Sequence, residues 1–292
     1  MYLTGFADEA SQDLATQIRV TKALGWNAIE SRGVWGRNIH NLEEDDFERA
    51  CAMLDEAGVH VNCFGSTIAN WAKSVDDDFE ITLAEVERAI PRMQRLGTKL
   101  IRIMSYARLP GDDQRPQERF ARLREIQARF TDAGLTPVHE NCMNYGGLSW
   151  RHTLELVENV PGLKLVFDTG NPGITPDPDR GGGATQDPVE FYRNVREHVA
   201  YVHIKDARLE GTEEIYSYPG EGAGRIPEIL SLLSADGYDG GISIEPHMAS
   251  VFHNPDAGAA SEDESIAIYD TYGRRLMALL ADADWVPSTY PA

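Results

Sequence analysis

Four short segments of this sequence end in side chains that can bind a metal or move a proton. They are Val138-His139-Glu140-Asn141, Val166-Phe167-Asp168-Thr169-Gly170-Asn171, Val202-His203-Ile204-Lys205-Asp206 and Ile244-Glu245-Pro246-His247. Each is an apolar run closing on a polar residue, the pattern of a buried strand at its C-terminal end. Glu140, Asp168, His203 and Glu245 are therefore expected at one height on four successive strands. Three carboxylates brought together at ~4–6 Å cannot all stay ionised without a counter-cation. One divalent metal ion resolves the conflict. Oxygen-rich ligation with a single imidazole favours Mn²⁺, Mg²⁺ or Co²⁺ over structural zinc, with Zn²⁺ a further ion such a set takes. A single strand-end carboxylate is usually a helix cap, and a single histidine a satisfied core residue. Repetition on four consecutive strands is what points to a shared ion.

Strand alternation supports convergence. Ile242 and Ile244 suit a helix-facing side, which leaves Gly241, Ser243 and Glu245 inward; His203 shares a face with Lys205, and Asp168 with Val166. The elements that must position these residues repeat eight times as strand, turn and amphipathic helix. The strands are expected at Tyr2–Ala7, Ala28–Ser31, Val59–Phe64, Leu100–Met104, Thr136–Glu140, Leu163–Asp168, Tyr201–Ile204 and Gly241–Glu245. Between them, Leu14, Ile18, Thr21 and Leu24 recur on one helical face, as do Phe47, Cys51 and Leu54. Asn41 with Glu44, and Asp187-Pro188 with Glu190, read as helix starts, and Gly25, Gly58, Gly97 and Gly134 as helix ends. Eight such units predict an α/β fold, a (β/α)8 TIM barrel forming a single domain over 1–292, with the active site at the C-terminal ends of the strands. The alternative, an open doubly wound sheet, would carry a Gly-rich phosphate turn where this chain has Gly5-Phe6-Ala7-Asp8-Glu9. The Gly- and Pro-rich stretch 171–187 is long for a connection and reads either as a lid or as a plain surface loop.

The strand-end segments, together with Phe6-Ala7-Asp8-Glu9 and the run Pro219-Gly220-Glu221-Gly222-Ala223-Gly224-Arg225-Ile226-Pro227, resemble the xylose-isomerase-like barrel superfamily of sugar isomerases and epimerases. The resemblance spans nearly the whole chain and is nearest to members acting on ketoses or 3-keto-sugars. It implies a divalent metal, usually Mn²⁺, on Glu140, Asp168, His203 and Glu245, with Glu140 and Glu245 as the proton-transferring pair. The chemistry suits those residue types. A hydrogen on the carbon beside a carbonyl is weakly acidic, and a metal on the carbonyl and hydroxyl oxygens stabilises the enediolate. One glutamate removes the proton and the other returns it on the opposite face, which is epimerisation. The same proton abstraction begins aldose–ketose isomerisation, dehydration of a keto-inositol and elimination from a 3-keto-glycoside. Glu30, Arg32, Lys205, Arg208 and His247 are the expected substrate contacts, and for the first four a plain ion pair is the competing reading. Trp35 and Trp71 sit in loops where aromatic rings stack on sugars or simply pack.

Composition narrows the partners. The 292 residues carry 27 Lys and Arg against 47 Asp and Glu, a formal charge of −20. Such a surface repels phosphate backbones and anionic membranes, so neither nucleic acid nor membrane is an expected partner. Abasic-site endonucleases on the same barrel need a histidine-rich three-metal cluster, and Asn171 stands three residues after Asp168, where those enzymes place a ligand histidine. No apolar run approaches the ~18 residues of a membrane span. The opening MYLTGFADEA reads as a first strand and not a signal peptide. Cys51, Cys63 and Cys142 have no metal or disulfide spacing, which suits a reducing cytoplasm. The expected partner is a small sugar. The tail Trp285-Val286-Pro287-Ser288-Thr289-Tyr290 is apolar enough to dock on another copy, so a homo-oligomer is an open reading. A non-catalytic sugar-binding barrel is the remaining class, and its expected mark is a lost ligand.

Overall fold

The computed structural model describes residues 1–249 and 260–291. Eight parallel strands run in chain order around a barrel: β1 Tyr2–Gly5, β2 Ala28–Ser31, β3 His60–Gly65, β4 Leu100–Ile103, β5 Thr136–Glu140, β6 Lys164–Asp168, β7 Val199–Ile204 and β8 Gly241–Ile244. Each pairs with its sequence neighbour from β2 to β8, and β8 returns to pair with β1. Among the described residues no backbone ladder joins β1 to β2, although the two pack together, so the barrel is nearly closed. The expected (β/α)8 fold is the observed one, with strand ends within two residues of their expected positions.

The helices lie outside, each burying one stripe. Helix α1 covers Leu14–Ala23 and α2 covers Glu44–Ala57. In α2 the buried side chains are Phe47, Ala50, Cys51 and Leu54, a single helical stripe, and the helix stops at Gly58 with φ +64°. That left-handed turn is open to glycine without Cβ strain. Helices α3 Phe79–Leu96, α4 Pro116–Asp132 and α5 Trp150–Asn159 follow, then a short α6 Asn171–Ile174, α7 Pro188–Val195, α8 Ile226–Ala235 and α9 Glu262–Asp282. The Asp187 carboxylate caps α7 as expected, accepting from the backbone of Val189 and Glu190. Asn41 does not cap α2: Glu43 precedes its first turn, and Asn41 Oδ1 instead accepts from Arg88. Glu44, Asp45 and Asp46 in that first turn meet the helix dipole without a side-chain cap.

Inside the barrel the alternation stacks two layers of different character. The lower one is Cys63, Val138, Val166 and Tyr201, with Asn62 beside them. Two residues further along β5, β6 and β7 stand Glu140, Asp168 and His203. The C-terminal tail closes the opposite end of the barrel. Ser288 N–H donates to Met1 O at 2.9 Å, Tyr290 N–H donates to Asn27 Oδ1 at 2.9 Å, and the Tyr290 ring lies 4.8 Å from that of Tyr2. The apolar tail thus docks on its own barrel. No helix among the described residues is long and apolar enough to cross a membrane.

Candidate metal centre

Glu140, Asp168, His203 and Glu245 each offer a ligand atom, and these atoms lie within 4.8 Å of one another. All four side chains are buried, none exposing more than 2%. Burial without partners is costly for polar atoms, so the unpaired ones are informative. Glu140 Oε2, Asp168 Oδ2 and His203 Nδ1 have no hydrogen-bond partner. Cations approach the two carboxylates, Arg102 Nη1 at 3.1 Å from Glu140 Oε2 and Lys205 Nζ at 3.2 Å from Asp168 Oδ2, without hydrogen-bond geometry. The other oxygen of each is committed. Asp168 Oδ1 accepts from the backbone of Gly170 and Asn171 at the start of α6, and Glu140 Oε1 accepts from Asn171 Nδ2. Gly170 serves this turn because an added Cβ would lie 2.8 Å from Lys205 O.

The local charges explain the ionisation of the metal-free site. Burial pushes the Asp168 carboxyl up to about 7 despite Lys205 beside it. Burial acts the same way on Glu140, but Arg102 and His203 outweigh it and bring that carboxyl down to about 2. Glu245 is likewise buried, yet Lys205, His247, His203 and Arg32 hold it well below the usual carboxylate range. By residue type, six buried carboxylates (Asp8, Glu9, Glu30, Glu140, Asp168, Glu245) face three permanent cations (Arg32, Arg102, Lys205). A divalent ion offsets most of that excess, and the orphaned oxygens and nitrogen are the donors it would use.

A second set, Glu9, Glu245 and His247, also brings ligand atoms together. There the Arg32 guanidinium already stands where a cation is needed. It donates to both oxygens of Asp8 at 2.9 and 3.1 Å, to Glu9 Oε1 at 3.2 Å and to Glu245 Oε1 at 3.1 Å. Burial would lower Arg32, and the three carboxylates outweigh it and keep the guanidinium charged. Phe6 lies beneath, its ring 4.3 Å from the Arg32 guanidinium carbon and 5.1 Å from the His203 ring.

Two of the four donors, Glu140 and Glu245, line a cavity of about 290 Å³. Its wall includes Arg32, Arg102, Glu140, Lys205, Glu245 and His247. A buried donor set with orphaned atoms, opening on a cavity, is the arrangement of a metal-using enzyme; a structural ion would be enclosed.

The sequence profile of the xylose isomerase-like TIM-barrel family matches residues 18–267. The chain belongs to that family. No curated protein matches the sequence. Among solved structures, this family member is similar to a D-tagatose 3-epimerase-like protein (TM-score 0.72, 18% identity, covering 97% of this chain and 98% of the other). It is also similar to the probable 3-DHS dehydratase AsbF, involved in petrobactin synthesis, from Bacillus anthracis (0.69, 19%, 95% and 99%). A third is a xylose isomerase-like TIM-barrel protein from Mycobacterium smegmatis in complex with magnesium (0.69, 16%, 97% and 97%). At these identities the likeness is one of fold.

Among the expected substrate contacts of this xylose isomerase-like barrel, Arg32, Lys205 and His247 reach the cavity wall. Glu30 does not line it: fully buried, it lies against His203 on the side away from the cluster. Arg208 also lies elsewhere, on the hairpin strand Asp206–Glu210, where it pairs with Glu210 at 2.6 Å. Trp71 lines the cavity, whereas Trp35 packs on Arg49. From the stretch 171–187, Asn171 and Ile174 line the cavity and Gly181–Gly183 are exposed. The run Pro219–Pro227 serves structure: the backbone N–H groups of Gly220, Gly222 and Gly224 all donate to the Asp206 carboxylate. Asp8 and Glu9 are the residues whose part in the site pattern reading underweighted. Their only signal was an acidic pair immediately after the first strand.

Proposed function

We propose that this chain is a divalent-metal-dependent epimerase or isomerase of a keto-sugar, using Mn²⁺ in a reducing cytoplasm. The observation that carries the reading is the four-donor cluster with its orphaned Glu140, Asp168 and His203 atoms, set against a cavity of monosaccharide scale. A divalent ion held there would polarise the substrate's carbonyl and adjacent hydroxyl oxygens. Glu140 would spend one carboxylate oxygen on the ion and use the other to take the proton from the neighbouring carbon. Glu245, reaching the site from three strands away, returns a proton on the opposite face. Arg102 and Lys205 hold cationic charge at 3.1 and 3.2 Å from the carboxylates and support negative charge developing on substrate oxygen. Trp71 and the 171–174 turn wall the cavity and limit water. The similarity in fold to a D-tagatose 3-epimerase-like protein and to an L-ribulose 3-epimerase supports a ketose.

One observation favours a second reading, a lyase or dehydratase of a keto-inositol or 3-keto-glycoside. The two glutamates are not equivalent: Glu245 accepts hydrogen bonds from Arg32 on Oε1 and from Lys205 on Oε2, each at 3.1 Å, while Glu140 Oε2 meets Arg102 at 3.1 Å only as an ion pair without hydrogen-bond geometry. A single base removing one proton ahead of a leaving group needs only Glu140. Metal analysis, followed by turnover of ketoses in heavy water with Mn²⁺, separates the readings. Epimerisation places solvent deuterium at the inverted carbon; elimination releases water or an aglycone. Retention of the original hydrogen at an inverted carbon would exclude the two-glutamate route.

A further inference from the structure

His203 is the one imidazole in the donor set, and its two nitrogens have different surroundings. Nδ1 has no hydrogen-bond partner and faces the cluster, 3.8 Å from Glu140 Oε1 and 3.6 Å from Glu245 Oε2. Nε2 points the other way, 3.2 Å from Glu30 Oε1 and 3.0 Å from Glu30 Oε2. A carboxylate has no proton to give, so Nε2 donates, and the lone pair for a metal falls on Nδ1. The ring is held in that plane by edge contacts with Phe6 and Tyr201, with centroids 5.1 and 5.6 Å away.

Glu30 lies beside a local break in the sheet. The register of β2 against β3 shifts between Ile29 and Glu30, the extra residue being Asn62 on β3. The Glu30 side chain is fully buried and is not part of the cavity wall described above. A carboxylate placed there at the desolvation cost of burial needs a partner, and the imidazole is the one it meets.

We propose that Glu30 is a positioning residue of the metal centre. It fixes the tautomer of His203 with Nδ1 toward the ion and strengthens that nitrogen as a donor. A carboxylate behind a ligating histidine raises ligand basicity, and its loss typically costs 10–100-fold in metal affinity. The assignment rests on the metal-centre reading above but not on the identity of the sugar or the reaction.

The test uses Mn²⁺ alone with the full chain, by calorimetry or by the electron paramagnetic resonance signal of the free ion. Glu30→Gln keeps the size and removes the charge; it should weaken Mn²⁺ binding about 10–100-fold and leave the metal-free protein folded by circular dichroism. Glu30→Asp keeps the charge but withdraws it by one methylene, and should fall between the two. A crystal of the Mn²⁺-loaded wild type should show the ion on His203 Nδ1 with Nε2 on Glu30, a measurement that decides the matter even where Glu30→Gln does not fold. Equal affinity in wild type and Glu30→Gln, or the ion on Nε2, overturns the assignment alone. A wild type that binds no Mn²⁺, Mg²⁺, Co²⁺ or Zn²⁺ overturns the metal-centre reading and this assignment with it. Mn²⁺ binding with no keto-sugar turnover overturns only the substrate reading.

Discussion

Two polar groups of side chains lie one above the other in the same barrel, both buried, and their hydrogen bonding is opposite. On the floor, Thr4 Oγ1 donates to Asn62 Oδ1 at 2.8 Å, and Asn62 Nδ2 donates to Tyr201 OH at 2.8 Å. The Asn62 amide has its oxygen and its nitrogen both engaged. At the mouth, Glu140, Asp168 and His203 each keep an unpaired atom. Burial alone therefore does not mark a site. The Asn62 amide is satisfied by its neighbours, whereas the mouth leaves donor atoms free to take a metal ion.

That contrast breaks most visibly at the two glutamates proposed as the proton-transferring pair. Glu140→Gln and Glu245→Gln each keep size and one acceptor oxygen but remove the base. Turnover should fall by ~10²–10⁴ in each, with little change in folding. If two-base epimerisation operates, each variant should still exchange the substrate hydrogen of one epimer with heavy water, and the two should differ in which. Identical exchange by both would favour the single-base reading.

Stability should respond in the reverse order. Asn62→Ala leaves Thr4 and Tyr201 without partners and should cost about 1–3 kcal/mol for each group left unpaired, read by urea unfolding, with Mn²⁺ affinity retained. Asp168→Asn should leave the metal-free protein as stable as wild type or more so, because it removes a buried charge, while abolishing the rise in melting temperature that Mn²⁺ gives. A destabilised metal-free Asp168→Asn protein would mean the mouth is a finished structural network.

A smaller effect is expected beside the cavity, where the loop carrying Thr67 and Trp71 is pinned to α3. Thr67 Oγ1 donates to Glu85 Oε1 at 3.0 Å, and Lys73 pairs with Glu85 Oε2. Burial raises the Glu85 carboxyl, but His40 and Lys73 outweigh it, so the folded value lies below the ordinary one. A depressed carboxyl contributes stability that is present above the unfolded range near ~4.3 and is lost as pH falls through the folded value. Glu85→Gln should cost about 1.5–3 kcal/mol at neutral pH. The difference from wild type should shrink on acidification; a pH-independent difference would refute the ionic account.

The smallest effect separates cavity wall from surface. Arg208→Ala should change kcat/KM by no more than a surface substitution changes stability, within ~0.5 kcal/mol. His247→Gln should reduce it by the ~0.5–3 kcal/mol of a hydrogen bond. A tenfold loss in Arg208→Ala would bring the Asp206–Glu210 hairpin into the site.

Period-two alternation and glycine-terminated helices made the barrel readable, because each is a local consequence of backbone geometry repeated eight times. The four donors were readable for the same reason: each ends a strand, and parallel strands in one barrel end at one height. Asn41 misled because a side chain that can cap a helix was instead engaged by Arg88, 47 residues away. The apolar tail, legible as a docking segment, gave no sign that its surface would be its own barrel.

Residue types and their order along the chain thus foretold the eightfold architecture and the convergence of the four donor residues, since equivalent strand ends meet at one height wherever parallel strands close a barrel. Only the folded chain decided the assignments within that set. Glu30, an expected sugar contact, lies 3.0 Å from His203 Nε2, on the opposite side of the ring from the other donors. Arg32 filled a second acidic cluster that a sequence cannot distinguish from a metal site. These outcomes depend on which nitrogen or oxygen faces which neighbour at about 3 Å. That is fixed by register, rotamer and packing across strands far apart in sequence, and no local pattern encodes it.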